Sequence, residues 1–189
     1  MRSPIYWNPT LYRLTLRLLY GDELQARYDA VTPLIPAGSK VLDVCAGDGA
    51  IRHRLPGCEY KAIDGNAAFV GSLKKQGIDA TLADVRGVEF PLSDVILMMG
   101  SLYHFIPTAD ALIERMKRAA KRLIIVEPHV NWSARGGVLG KLAQLASDPG
   151  IKGSHLGRFS EADLKQVAEK TKVTRIIPLQ RELILVYDQ

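Results

Sequence analysis

One short segment, Lys40-Val41-Leu42-Asp43-Val44-Cys45-Ala46-Gly47-Asp48-Gly49, constrains the fold more than any other. An apolar run, Val41-Leu42 with Val44, ends in a glycine turn, and a helix-like segment follows from Ala50. A strand that feeds a glycine loop and opens a helix is a common way to hold the polar tail of a nucleotide-like ligand. Glycine admits positive φ and lets the backbone approach the ligand closely. Asp43 stands at the strand end, ahead of the loop. A carboxylate there repels a pyrophosphate and can receive an amino group, so the loop suits a ligand with a cationic end. The dinucleotide pattern G-x-G-x-x-G does not fit, because its third glycine falls on Arg52.

Short β-like runs alternate with helical patterns along the chain, which signals a mostly parallel α/β sheet. Strands are expected over 41–45, 60–63, 80–83, 95–99 and 123–126. Two more, over 173–178 and 182–187, are separated only by Leu179-Gln180-Arg181 and must form an antiparallel hairpin. A helix is expected over 161–170, with Ser160 at its N-cap and Asp163 three residues on, close to a capping box. The 189 residues, 47% hydrophobic and 24% charged, fit one domain with a substantial core. Two cysteines make no disulfide framework, so a reduced cytoplasmic setting is expected. No secretory leader pattern is visible, and no run approaches the ~20 apolar residues of a membrane span. The net charge of +5 is spread without blocks, which allows a nucleic acid or an anionic membrane as partner but demands neither.

Asp43, Cys45, Gly47 and Gly49 fall on motif I of the class I S-adenosylmethionine-dependent methyltransferases, D/E-x-G-x-G-x-G, with Cys45 at the first glycine. The closing hairpin matches the reversed last strand of that fold. From about Leu34 onward the chain therefore resembles this family, in its small-molecule type. The resemblance implies an α/β fold, Rossmann-like, with a seven-stranded, mostly parallel sheet and an antiparallel final strand. It implies an N-terminal helical cap over 1–33 and a cofactor-binding domain over 34–189, with a substrate cover at about 131–158. It implies S-adenosylmethionine as cofactor and S-adenosylhomocysteine as product.

The same resemblance assigns residues. Asp43, Gly47 and Gly49, with the backbone of Cys45 and Ala46, are expected at the methionine end of the cofactor. Asp64, twenty-one residues after Asp43, ends the second strand beside Gly65 and is expected at the ribose, where two carboxylate oxygens can meet a vicinal diol. Asp64 and Asn66 equally suit a helix N-cap. Asp84 and Val85 are expected at the adenine, with a surface turn as the alternative. The run from Asp94 to Phe105 resembles motif IV and its following loop. Met99 and Gly100 would then offer carbonyls to the ammonium, and Leu102 would pack on the cofactor.

Methyl transfer from a sulfonium is an in-line displacement in which the cofactor carries the reactive group. The protein need only align the acceptor and take up its proton. His104 and His129, past the fourth and fifth strands, are the base candidates, with simple packing as the alternative for each. His53 is taken as structural. Tyr103, His155 and Arg158 are expected on the substrate side, Arg158 against an anionic group. The stretch 131–158 contains five glycines and the basic residues Arg135, Lys141 and Lys152, as a substrate cover would. Residues 9–20 read as a helix apolar nearly all round, suited to a pocket, a partner subunit or a membrane surface. Tyr6, Trp7, Tyr20 and Tyr28 are candidates to close over the cofactor. No metal is implied, since no Cys/His cluster has ligand spacing. Neither the Asn/Asp-Pro-Pro-Tyr/Phe motif of base methylation nor a Cys nucleophile at that loop is present, which disfavours nucleic acid.

The expected activity is transfer of a methyl group to O, N or C of a small-molecule or lipid-like acceptor, by a monomer or homodimer. An RNA or protein methyltransferase of the same fold and a non-catalytic cofactor-binding module are the alternatives. A nicotinamide enzyme is disfavoured by the missing third glycine and the final hairpin.

Overall fold

The computed structural model describes residues 12–15, 21–129 and 157–189. Seven strands form one sheet: β1 (Lys40–Val44), β2 (Glu59–Asp64), β3 (Asp79–Leu82), β4 (Ser93–Met99), β5 (Ala120–Pro128), β6 (Arg175–Leu179) and β7 (Glu182–Asp188). Their order is β3-β2-β1-β4-β5-β7-β6. The first five pair in parallel, and β7 runs antiparallel between β5 and β6. Among the described residues, the helices α1 (Asp22–Val31), α2 (Ala67–Lys75), α3 (Ala109–Arg118) and α4 (Glu161–Lys170) pack on it.

The central strands are apolar on both faces because both faces are covered. Successive residues of β4 alternate between two cores. Ile96 and Met98 pack with α3 and α4, among Ile113, Met116 and Leu164. Val95 and Leu97 pack with α1 and α2, among Val31, Val70 and Leu73. In α3 the buried set Ala109, Leu112, Ile113 and Met116 lies at i, i+3, i+4 and i+7, one stripe of a helix. Ser160 caps α4 in a full capping box with Asp163, as the sequence pattern suggests.

Two connections are shorter than the alternating pattern implies. After β1 the chain makes only a five-residue 3-10 turn, Ala50–Arg54. Pro56 follows directly, and a proline drives the residue before it, Leu55, out of the helical region. Between β3 and β4 no helix forms either, so residues 83–92 are turns and irregular chain. The strand order reverses between β1 and β4, so the carboxyl ends of these two strands open the crevice where ligands enter such sheets.

Candidate functional site

β1 delivers Asp43 to that crevice and the glycine loop turns behind it. Cys45 adopts φ 60°, so the loop's first left-handed position is filled by a residue with a Cβ. Its N–H donates to Ile63 O at 2.8 Å, which pins the turn to β2. Gly47 and Gly49 are also left-handed. A Cβ on Gly49 would lie 2.6 Å from Leu73 Cδ2, so α2 can pack this close only because the position is glycine.

Two carboxyl groups are buried beside this loop. Asp43 is 2% exposed, and its Oδ2 accepts the Tyr60 hydroxyl at 2.6 Å. Burial pushes its carboxyl up to about 7; the Tyr60 bond acts against the rise, while Asp64 and Asp48 add to it. Asp64 ends β2. Its Oδ2 accepts Gly47 N–H at 2.8 Å and its Oδ1 accepts Asn66 N–H at 2.7 Å. Burial raises its pKa, and these two backbone donors oppose the rise. Asn66, not Asp64, is the N-cap of α2, accepting from Ala68 N–H at 2.9 Å.

A cleft enclosing about 650 Å³ of space open to solvent lies over the loop. Cys45, Gly47, Asp64, Gly65 and Gly100 line it, as do Tyr103 and His104. Its other walls come from Tyr12, Asn66, Phe69, Arg86, Ser101 and Phe105. Asp43, Ala46, Gly49, Asp84, Val85, Met99 and Leu102 are outside this lining. Asp43 sits behind it on Tyr60, Gly49 against Leu73, and Val85 and Leu102 in the core. Asp84 is half-exposed and held by Arg86, which lowers its pKa. The turn it belongs to is fixed from α3, where Arg115 donates to Val85 O at 3.0 Å and Arg86 O at 2.9 Å.

The His104 ring lies tilted at 40° against the Tyr103 ring, with centroids 3.8 Å apart, at the cleft wall. His129 does not line the cleft. Its N–H donates to Arg181 O at 3.0 Å and its Nδ1 lies 3.8 Å from Glu161, which ties it to the hairpin and α4. Arg158 lies over the Tyr103 ring, 3.5 Å from its centroid. His155, the basic residues Arg135, Lys141 and Lys152, Tyr6, Trp7 and Tyr20 lie outside the described residues. Tyr28 is buried under the sheet beside Val31 rather than in the cleft.

Among the described residues, Tyr12 lines the cleft, edge-on to Phe69 at 4.9 Å and near Gly47. Arg13 next to it pairs with Asp48 of the loop at 2.9 Å. The sequence offered little to separate Tyr12 from its neighbours in an apolar helix. Glu127 was also given no role. It is fully buried near the end of β5, and its only sequence signal is an acid closing an apolar strand, as at Asp43 and Asp64.

The sheet order and reversed β7 find their match among solved structures. PigF with SAH aligns over 98% of this chain and 61% of its own, with TM-score 0.66 and 17% identity. The fold is that of the class I S-adenosylmethionine-dependent methyltransferases. Human N-acetylserotonin methyltransferase in complex with SAM aligns over 98% of this chain and 57% of its own, with TM-score 0.64 and 15% identity. In sequence, the chain is similar to the trans-aconitate 2-methyltransferases of Mycolicibacterium gilvum (29% identity) and Mycobacterium sp. strain KMS (31%), each over 121 residues. These matches cover 58% of this chain and 43% of the relative, so the chain matches less than half the length of these methyltransferases. No family model matches. Among the described residues, no helix is long and apolar enough to cross a membrane.

Proposed function

We propose that the protein is an S-adenosylmethionine-dependent methyltransferase that moves a methyl group to O, N or C of a small-molecule or lipid-like acceptor. The observation behind this reading is the pair of buried carboxyls, Asp43 and Asp64, at a glycine loop on the carboxyl edge of a methyltransferase fold. Two acids beside the loop repel a pyrophosphate and favour a ligand with an ammonium and a sulfonium.

The residues fit that cofactor at its methionine and ribose ends. Each oxygen of Asp64 accepts one backbone N–H, which leaves lone pairs for both hydroxyls of a ribose. Gly47 and Gly100 bring bare backbone to the cleft wall. At the adenine end, Asp84 meets an amino group only by giving up part of its pairing with Arg86. When bound, the cofactor supplies an electrophilic methyl group on sulfur. The chain's own part is to orient the acceptor, exclude water and receive a proton. The Tyr12–Phe69 contact narrows the cleft over Gly47. His104, at the cleft wall, is the candidate proton acceptor; His129, turned toward α4, is not. Arg158, over Tyr103, is the candidate to hold an anionic group of the acceptor. The name of the sequence relatives makes trans-aconitate the first acceptor to try. A cytoplasmic setting belongs to this reading and rests on two free thiols, Cys45 and Cys58.

Calorimetric titration with S-adenosylhomocysteine, with NAD as control, tests the cofactor class. Micromolar binding that Asp64→Ala abolishes is expected. Binding of NAD in its place, or binding of neither ligand, overturns the proposal.

A further inference from the structure

Glu127 presents one satisfied and one unsatisfied oxygen. Its Oε2 accepts Leu102 N–H at 2.8 Å, while Oε1 is buried with no hydrogen-bond partner among the described residues. Such a group costs stability, so its other contacts need an account. Leu102 opens the 3-10 segment Leu102–Thr108, whose N-cap residue, Ser101, makes no side-chain cap. The Ser101 hydroxyl donates instead to Met99 O at 3.3 Å. Glu127 thus supplies, from the neighbouring strand, the acceptor that a cap would supply. Two residues before Leu102, Gly100 N–H donates to Val126 O at 2.7 Å. Two successive bonds from β5 therefore hold the loop, and Gly100, Ser101, Tyr103 and His104 of that loop line the cleft.

The charges around Glu127 come from three other elements. Arg158, ahead of α4, acts on it most strongly, followed by Glu182 of β7 and Arg27 of α1. Arg27 forms a double hydrogen bond to Glu182, leaving Arg158 as the main cation facing Glu127. The thiol of Cys45, just past β1, also lies within its field, and Tyr103 and His104 are the titratable side chains of the loop itself. Arg158 in turn covers the face of Tyr103.

We propose that Glu127 is a positioning residue, which holds the Gly100–His104 wall of the cleft through Leu102 N–H and couples that wall to Arg158. The proposal rests on the methyltransferase reading for its consequence, not for its geometry. Burial pushes the Glu127 carboxyl up to about 8, so near neutral pH it holds the wall largely as an uncharged acceptor. Ionisation makes it a stronger acceptor and draws Arg158, so the wall responds to pH around that value.

The test uses the full chain, with S-adenosylhomocysteine as the probe. Glu127→Gln keeps an oxygen for Leu102 N–H, and Glu127→Met keeps the approximate volume without that oxygen. The Met variant is expected to bind the probe about tenfold more weakly, at a temperature where it is fully folded, the equivalent of one hydrogen bond. The Gln variant is expected to recover most of that loss. In the wild type, backbone amide resonances of Gly100 to His104 move together with a midpoint near pH 8, and in Glu127→Gln they do not. A purely structural role lowers stability and leaves both readouts unmoved. Wild-type affinity in the Met variant, or an amide titration that persists in the Gln variant, overturns the proposal. Should the Met variant not fold, the amide titration of the Gln variant decides alone. Should the wild type not bind the probe, the methyltransferase reading falls, while the amide titration still decides whether Glu127 governs the wall.

Discussion

Gly49→Ala probes the junction between the glycine loop and α2. Gly49 has φ 64°, and an added Cβ would lie 2.6 Å from Leu73 Cδ2 and 3.4 Å from the Tyr60 hydroxyl. A left-handed alanine costs about 1–2 kcal/mol. Crowding a fully buried leucine adds about 1–3 kcal/mol, because its neighbours leave it little room to move. The stiffer unfolded chain returns about 0.4–1 kcal/mol. The sum is about 3 kcal/mol of lost stability, or roughly 6–12 °C in Tm for a chain of this size. Gly38→Ala is the control: its φ is 74° and nothing lies within 4 Å of the added Cβ. It keeps the backbone cost alone, about 1 kcal/mol after the same offset. Urea unfolding of both variants measures the difference. Adding Leu73→Ala to Gly49→Ala should cost less than the two single changes summed, since the clash partner is gone. Equal losses in the two glycine variants, together with additivity in the double variant, would refute the steric argument.

Tyr60→Phe removes the donor to Asp43 Oδ2 and leaves a buried carboxyl oxygen bare; a loss of about 1–3 kcal/mol in urea unfolding is expected, with the Asp43 titration moved upward in carboxyl-carbon NMR. Arg115→Met removes the donors to three carbonyls of the 85–88 turn and should speed amide exchange there while the rest of the sheet stays protected. Stability should also fall between about pH 5 and pH 8. The folded pKa values of Asp43, Asp64 and Glu127 are raised, so their contribution is complete below the unfolded values near 4 and is lost as pH climbs through 7 and 8. Urea midpoints at pH 5.5 and 8.5 check this, and a flat or rising trend would contradict it.

The strands and the closing hairpin could be read from the sequence because the central strands are built on apolar runs and the hairpin leaves no room for a helix. Asp43, Asp64 and the loop glycines were equally legible, since a strand end followed by glycine fixes where the backbone must turn. The N-terminal tyrosine that lines the cleft among the described residues was not. Tyr12 and Tyr28 both sit in helical segments, and only the packing of Phe69 and Val31 decides which of them meets the cleft. The short turn after β1 was missed because a helix is expected where a glycine loop ends, until Pro56 is weighed against the five residues Ala50–Arg54. Asp84 is an adenine candidate by position, and its pairing with Arg86 two residues on is a local contact that its position after β3 does not reveal. Cys45 shows the limit of the motif itself. The turn needs a left-handed residue and is made there by a side chain that does not favour it.

The chain carries a net charge of +5, yet its buried acids, among the described residues, all lie at one edge of the sheet. Asp64 ends β2, Asp43 and Glu127 lie next to the ends of β1 and β5, and Glu182 begins β7 opposite Pro128. Arg27 compensates Glu182 and Arg158 faces Glu127. No ion pair among the described residues reaches Asp43 or Asp64, so hydrogen bonds alone support them. Burial without a cation raises an acid's pKa, and the Asp43 carboxyl, at about 7, keeps most of its proton below neutral pH. A ligand that brings an ammonium to Asp43 must therefore expel a proton as it binds. With the Asp43 carboxyl at about 7, binding of S-adenosylhomocysteine at pH 6.5 should release roughly three quarters of a proton. Calorimetry in phosphate and in an amine buffer reads that number from the difference in apparent enthalpy. A release that shrinks above pH 8 and disappears in Asp43→Asn is the expected pattern. Binding with the same enthalpy in both buffers would place the ammonium away from Asp43 and leave its burial without a ligand to explain it.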